Sequence, residues 1–494
     1  MNRTVLAFAG VALFACLSNT LCAQDFATAK MQNWHHWRGP LVNGTAPEAN
    51  PPLEWSESKN VKWKVEIPGQ GSATPIIWGN KVFVVSAIDT GKEPEDANGE
   101  GASDAIRARD DGQSLEPQGQ GQGQGRGQQG RGQRGQGRGQ RGQGRGRGGF
   151  GQGRGGRGGG PSTVYQFEVL CLNRDNGEVI WQQTANELVP HESKHSDNTY
   201  ASASPTTDGE HLYVSFGSRG IYCFDLDGNL QWSRDLGQMQ TRNGFGEGAS
   251  PVIHGDTLIV TWDHEGDSSL YALNAANGET RWQIERDERT TWNTPLVVEY
   301  DGVTQVIVNG GISRSYDIKD GTLLWECGGQ AANPIPSPVA KDGTVFCMTG
   351  YRGYALYAIP LNSKGDVTDS DTIVWTRDDS TPYVPSPLLY GDLLYFTKSN
   401  NALLTCVDAA TGEVHYENER LQGVRNLYAS PVGAGDHVYI TDRDGVTLVL
   451  ATGPELNVVA TNVLDEPIDA SPAIVGNQIF LRSGSHLYCI EESN

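Results

Sequence analysis

The chain has 494 residues, 37% of them hydrophobic and 63 of them glycine, and a formal net charge of −21 at pH 7. That balance allows a large buried core and excludes a collagen-like, coiled-coil or wholly disordered chain. An exported chain, as the first residues imply, meets little RNA, so nucleic acid is not expected as its partner.

Residues Met1–Ala23 start with a basic Arg3, continue through an apolar run from Val5 to Leu17, and end on a small residue before Gln24. The pattern predicts a signal peptide cleaved after Ala23, too short to span a bilayer, and no later stretch is apolar enough to do so. The protein is therefore expected to be exported, to the periplasm or the extracellular space. Leu13-Phe14-Ala15-Cys16 loosely resembles a lipobox, which makes lipid anchoring at Cys16 the alternative to free secretion. Residues 24–60 form an N-terminal extension in which Trp34, His35, His36 and Trp37 are expected to pack as a cap against the body of the protein.

From there a single unit repeats. A short small-residue motif ends in proline at Pro75, Pro205, Pro251, Pro295, Pro338, Pro387, Pro431 and Pro472, and six of the seven intervals lie between 41 and 49 residues. This is the period of a four-stranded propeller blade. Within a unit, runs such as LYVSFGS and LYALNAA are rich in Val, Ile, Tyr and Leu and are bounded by Gly-Asp, NGE or TGE turns, which predicts strands joined by tight hairpins. The tryptophans near the unit ends, Trp181, Trp232, Trp282, Trp325 and Trp375, read as core pegs. The eighth copy stops at Asn494, 22 residues after Pro472, without its Trp strand; Trp63 stands 12 residues before Pro75, the spacing of Trp375 to Pro387. The N-terminal strand is thus expected to complete the last blade and close the ring. The expectation is an all-β, eight-bladed β-propeller of four-stranded antiparallel blades over residues 61–494, monomeric, with no free sheet edge.

One interval is long. Pro75 and Pro205 are 130 residues apart, and the excess, residues 92–163, falls between the second and third strands of the first blade. Residues 118–160 hold nine arginines and no acid among Gly and Gln, while residues 92–116 carry eight acids against three basic residues. Such a segment has no apolar surface to bury and is expected to be disordered. Its two readings are a tolerated loop expansion and an arm that binds anionic polymers. Cys171, Cys223, Cys406 and Cys489 occupy one repeat position where Ala272 and Ala358 stand in other copies, so they are expected as core residues. Cys327 and Cys347, in adjacent copies, are not expected to pair.

Residues a plain turn does not need gather in the interblade linkers. His191, His195, Asp197, Asn198 and Tyr200 precede the second anchor; Arg242, Asn243 and Glu247 the third; Thr291, Trp292 and Asn293 the fourth; Tyr383, and then Arg425, Asn426 and Tyr428, come later. All should ring one face and converge near the channel mouth. From these, His195, Asn198, Tyr200, Arg242, Asn243, Glu247, Trp292, Asn293, Tyr383, Arg425, Asn426 and Tyr428 are the candidate ligand-binding set. No catalytic residue and no metal ligand is assigned: His191 and His195 would share a metal only on a helix, which Pro190 argues against.

The pattern ASPV...GD.LYV...LYALNA.NGE..W, clearest at Ala249–Trp282 and Ser386–Glu413, resembles the pyrroloquinoline-quinone-type propeller repeat across about residues 61–492 without the insertion. The resemblance implies the fold. The repeat family includes quinoprotein alcohol dehydrogenases, the scaffold lipoprotein of the outer-membrane barrel-assembly machinery, and other exported propellers. The dehydrogenases typically add adjacent cysteines and a calcium held by Glu, Asn and Asp; here no two cysteines are adjacent and DLDGNLQW at Asp225 is an ordinary hairpin turn. The expected function is therefore non-enzymatic binding or scaffolding of an envelope protein through the linker face, with no cofactor. The alternatives are an oxidoreductase using pyrroloquinoline quinone with calcium, and capture of an anionic polymer by the arm.

Overall fold

The computed structural model of the chain describes residues 26–94 and 160–493. The expected signal, Cys16 and the body of the insertion lie outside them. Eight small sheets follow one another, six of four strands and two of five. Blade 3 shows the unit: Val252–His254, Thr257–Trp262, Ser269–Asn274 and Thr280–Glu285 run antiparallel from hub to perimeter. Thr257–Trp262 is buried at all six positions, because neighbouring blades cover both of its faces, whereas Thr280–Glu285 is largely exposed. The hairpins turn at Gly255 (φ 55°) and Gly278 (φ 72°), in backbone that L side chains resist.

The ring closes as the sequence predicts. Val61–Glu66 is the outer strand of blade 8 and pairs antiparallel with His486–Glu491, Lys64 opposite Tyr488 and Glu66 opposite His486. Among the described residues no helix is long and apolar enough to cross a membrane. The six cysteines from Cys171 onward are free and buried, Cys327 and Cys347 included.

The blade tryptophans pack into the core as expected, and most of them also tie one blade to the next. Trp63, Trp181, Trp232, Trp282 and Trp375 each donate the indole N–H to a carbonyl of the next blade, at Arg174, Leu226, Ala275, Ile318 and Ala409, over 2.8–3.0 Å. Each ring rests on a turn glycine of that blade. A Cβ at Gly228 would lie 2.7 Å from Trp181, and one at Gly412 2.7 Å from Trp375. Three interfaces lack this staple. Trp325 turns instead to Gln305 of its own sheet (3.3 Å), Tyr416 stands opposite Cys406 in blade 6, and Ala460 opposite Val449 in blade 7. The N-terminal extension reinforces blade 7: Thr45–Ala46 adds a parallel strand to Val432–Ala434, and Trp55 stacks on Tyr439.

The insertion leaves and rejoins blade 1 between Lys81–Asp89 and Tyr165–Asn173, whose ladder ends with Asp89 opposite Tyr165. Gly160, on its return, sits so close to the linker into blade 2 that a Cβ would meet the Pro190 carbonyl at 2.3 Å.

Candidate functional site

The residue before every anchor proline is a serine or threonine: Thr74, Ser204, Ser250, Thr294, Ser337, Ser386, Ser430 and Ser471. All eight are buried and all line one cavity of about 440 Å³ on the ring axis. Around the ring the backbone N–H of one donates to the hydroxyl of the next, from Thr74 to Ser204 (2.9 Å), Ser204 to Ser250 (2.9 Å), Ser250 to Thr294 (3.2 Å) and Thr294 to Ser337 (2.9 Å). Ser337 to Ser386, Ser386 to Ser430 and Ser430 to Ser471 continue it, each at 2.9 Å. This belt satisfies buried donors that a proline-terminated strand start leaves without a ladder partner.

The channel is closed on the hairpin side. There the N-terminal extension crosses the hub: Trp34 exchanges backbone hydrogen bonds with Ile77 of blade 1, and the His35 carbonyl accepts from Thr207 of blade 2. The Arg38 guanidinium then donates to the carbonyls of Pro431 (3.0 Å) and Pro387 (2.6 Å). Trp37 forms the floor of the cavity. The expected cap is thus a plug threaded through the hub. Burial pushes His35 down to about 3, helped by Lys30, and lowers His36 well below its ordinary value, so both imidazoles are neutral at pH 7. Burial alone pulls Arg38 down to about 9.

The other end opens on the linker face, rimmed by Phe245, Trp292, Tyr351, Tyr383 and Tyr428. Tyr351 and Tyr383 stack at 4.6 Å. The long linker between blades 1 and 2 reaches across this mouth. His195 packs edge-on to Phe245 at 5.0 Å, and Asp197 meets Arg443 (3.1 Å) and the Tyr428 hydroxyl (3.0 Å), both of blade 7's surroundings. Arg443 also holds Asp469 through two bonds of 2.7 and 3.1 Å and lies 4.1 Å from the Tyr428 ring centroid. Burial opposes ionisation of Asp197, but Arg443 and Tyr428 outweigh it and hold the carboxyl below its usual value. At Asp469 burial wins, and its value is raised despite Arg443.

Of the twelve candidates, His195, Asn198, Trp292, Tyr383 and Tyr428 line the cavity. The other seven are placed elsewhere. Tyr200 is buried under Arg219 (4.9 Å), Glu247 pairs with that Arg219 at 2.9 Å, and Asn293 is fully buried against Asn309. Arg242 bonds Asn333 at 2.9 Å, while Asn243, Arg425 and Asn426 are exposed on the same face. The sequence reading missed the hydroxyl belt and Arg443, and placed Trp37 in the cap without foreseeing that it faces the cavity. The belt was visible as the Ser or Thr before each proline; nothing marked Arg443, which sits in a strand-to-strand loop of blade 7 rather than a linker.

His191, Glu192 and Glu247 bring ligand-type atoms within 4.8 Å of one another. Their capacity is already spent: His191 on the Met239 carbonyl (2.7 Å), Glu192 on Thr241, and Glu247 on Ser218 and Arg219, whose charge stands where a cation would.

The fold and site define an eight-bladed propeller with a blind, aromatic-rimmed channel. Residues 165–418 match the family described as outer membrane protein assembly factor BamB, and the chain belongs to that family. It is 19% identical over 323 residues to BamB of Bordetella pertussis, covering 63% of this chain and 74% of that protein. It is 21% identical over 314 residues to BamB of Burkholderia pseudomallei, covering 56% and 70%. Quinohemoprotein alcohol dehydrogenase ADHIIG of Pseudomonas putida HK5 shares the fold, with a TM-score of 0.55 at 9% identity over 95% of this chain and 81% of that one.

Proposed function

We propose that this is an exported, non-enzymatic scaffold of the cell envelope that recognises a partner protein through its linker face, as the name of its relatives suggests for outer-membrane protein assembly. The observation that carries the reading is the asymmetry of the two faces. One is sealed by the plug; on the other, the unrepeated side chains Asp197, Arg443, Trp292 and Tyr383 converge on one mouth.

The donor set supports a binder over a quinone enzyme. No arginine or lysine is among the described residues lining the cavity, and its two carboxylates, Asp197 and Asp469, are both engaged by Arg443. A tricarboxylate quinone with calcium needs several cations around the ring and free carboxylates for the metal, so these residues do not fit it.

The test is capture from envelope extract. Trp292→Ala with Tyr383→Ala is expected to lose an outer-membrane assembly component that wild type retains, while the perimeter change Val179→Asp keeps it. Equal capture by both variants would overturn the linker-face assignment. Reduction of a dye by alcohols in the presence of added pyrroloquinoline quinone and calcium would restore the enzyme reading.

A further inference from the structure

The deep half of the channel is ringed by hydroxyls whose hydrogens remain available to donate. Seven belt hydroxyls already accept a backbone N–H from the preceding blade, and their own hydrogens meet no acceptor among the described residues. An N–H donated into a hydroxyl oxygen strengthens that hydroxyl as a donor in turn. Trp37, at the floor, has a buried indole N–H without a partner, and so has the Nε of Arg38 behind it. Arg38 is buried with no carboxylate beside it. Its guanidinium bonds only to carbonyls of Asn43, Pro387 and Pro431, the last two belonging to the anchors of Ser386 and Ser430. Buried polar groups without partners are rare and point to a missing acceptor.

We infer that the channel is a binding site for a small monocarboxylate, its carboxylate seated in the hydroxyl belt above Trp37 and Arg38 and its planar or aliphatic body against Phe245, Trp292 and Tyr383. One cation behind the floor matches one negative charge. A polyanion would meet Asp197 and Asp469 at the mouth. The volume, about 440 Å³, suits a ligand of this size. The inference rests on the linker-face reading only in that the ligand enters from that face.

The test is calorimetric titration of the full chain with 3-phenylpropionate and with its neutral amide. The acid should bind, and the amide should bind at least about tenfold more weakly, since a charge-assisted bond is roughly twice as strong as a neutral one. Gly248→Leu fills the cavity without removing a hydrogen bond and should abolish binding; a Cβ there meets only Trp292, at 3.4 Å. Ser430→Ala should weaken the acid about fivefold or more and the amide by less. Equal binding of acid and amide, binding of neither, or wild-type affinity in Gly248→Leu would overturn the proposal. If Ser430→Ala does not fold, Gly248→Leu decides alone. Loss of titration with partner capture intact removes only the channel site; loss of capture with titration intact removes only the linker-face reading.

Discussion

The perimeter and the hub of this ring obey opposite rules. At the perimeter one contact recurs: an indole on a turn glycine, its N–H on a carbonyl of the next blade, at five of the eight interfaces. At the hub the belt hydroxyls repeat, but the plug, Arg443 and the aromatic rim each occur once. Interfaces between neighbours are eight separate places, so the same solution serves at each. The hub is one place shared by eight copies, so a side chain that fills it once excludes its equivalents from the other blades.

The largest effect is expected at an interface that lacks the staple. Trp325 is fully buried, so Trp325→Ala should cost about 3–5 kcal/mol in urea denaturation, against a smaller loss for the half-buried Trp181→Ala. A larger loss at Trp181 would show that the staple contributes more than burial does.

Acid should separate hub from perimeter next. His35 is held near 3 against an ordinary 6.5 and His36 is lowered too, so the unfolded chain takes up protons that the plug refuses. Their stabilisation is complete above about pH 6.5 and is lost as pH falls toward 3. At the ring closure Glu466 behaves alike in a lower window. Burial opposes its ionisation, yet hydrogen bonds from Ser483, Ser485 and Lys64 and the charge of His486 bring it to about 2, so its contribution is lost as pH falls from 4.5 toward 2. Melting temperatures measured from pH 8 to 3 should therefore begin to fall near pH 6.5, and His35→Phe should delay that onset. An unchanged onset in the variant would show that the plug does not set the acid limit.

Gly228→Ala adds a Cβ 2.7 Å from Trp181 at φ +90° and should cost about 1–3 kcal/mol, read in the same denaturant experiment. The smallest effect is expected in the belt. Ser204→Ala removes one interblade hydrogen bond and should cost about 1 kcal/mol, a test of whether the hydroxyls are kept for stability or for what the channel holds.

The perimeter could be read in advance because its signal is local. Pro75, Trp63 and their equivalents recur at fixed spacing, and the missing eighth Trp strand pointed to Val61–Glu66 as the closing strand, which pairs with His486–Glu491. Connectivity put the linker residues together, yet the reading could not tell His195, which faces the cavity, from Tyr200, which turns away beneath Arg219. The two are close neighbours in the chain, and only the path of the linker across the mouth decides which way each points.

Period, turn chemistry and chain direction were enough to settle the number of blades, their strand order, the seam and the face on which the linkers gather. It took the folded ring to show that the extension at Trp34–Arg38 runs through the hub and makes the channel blind, and that Asp197 meets Arg443 from the far side of the chain. Periodicity carries no information about segments outside the repeat, and contacts across the axis join residues whose separation in sequence is set by closure of the ring rather than by any local pattern.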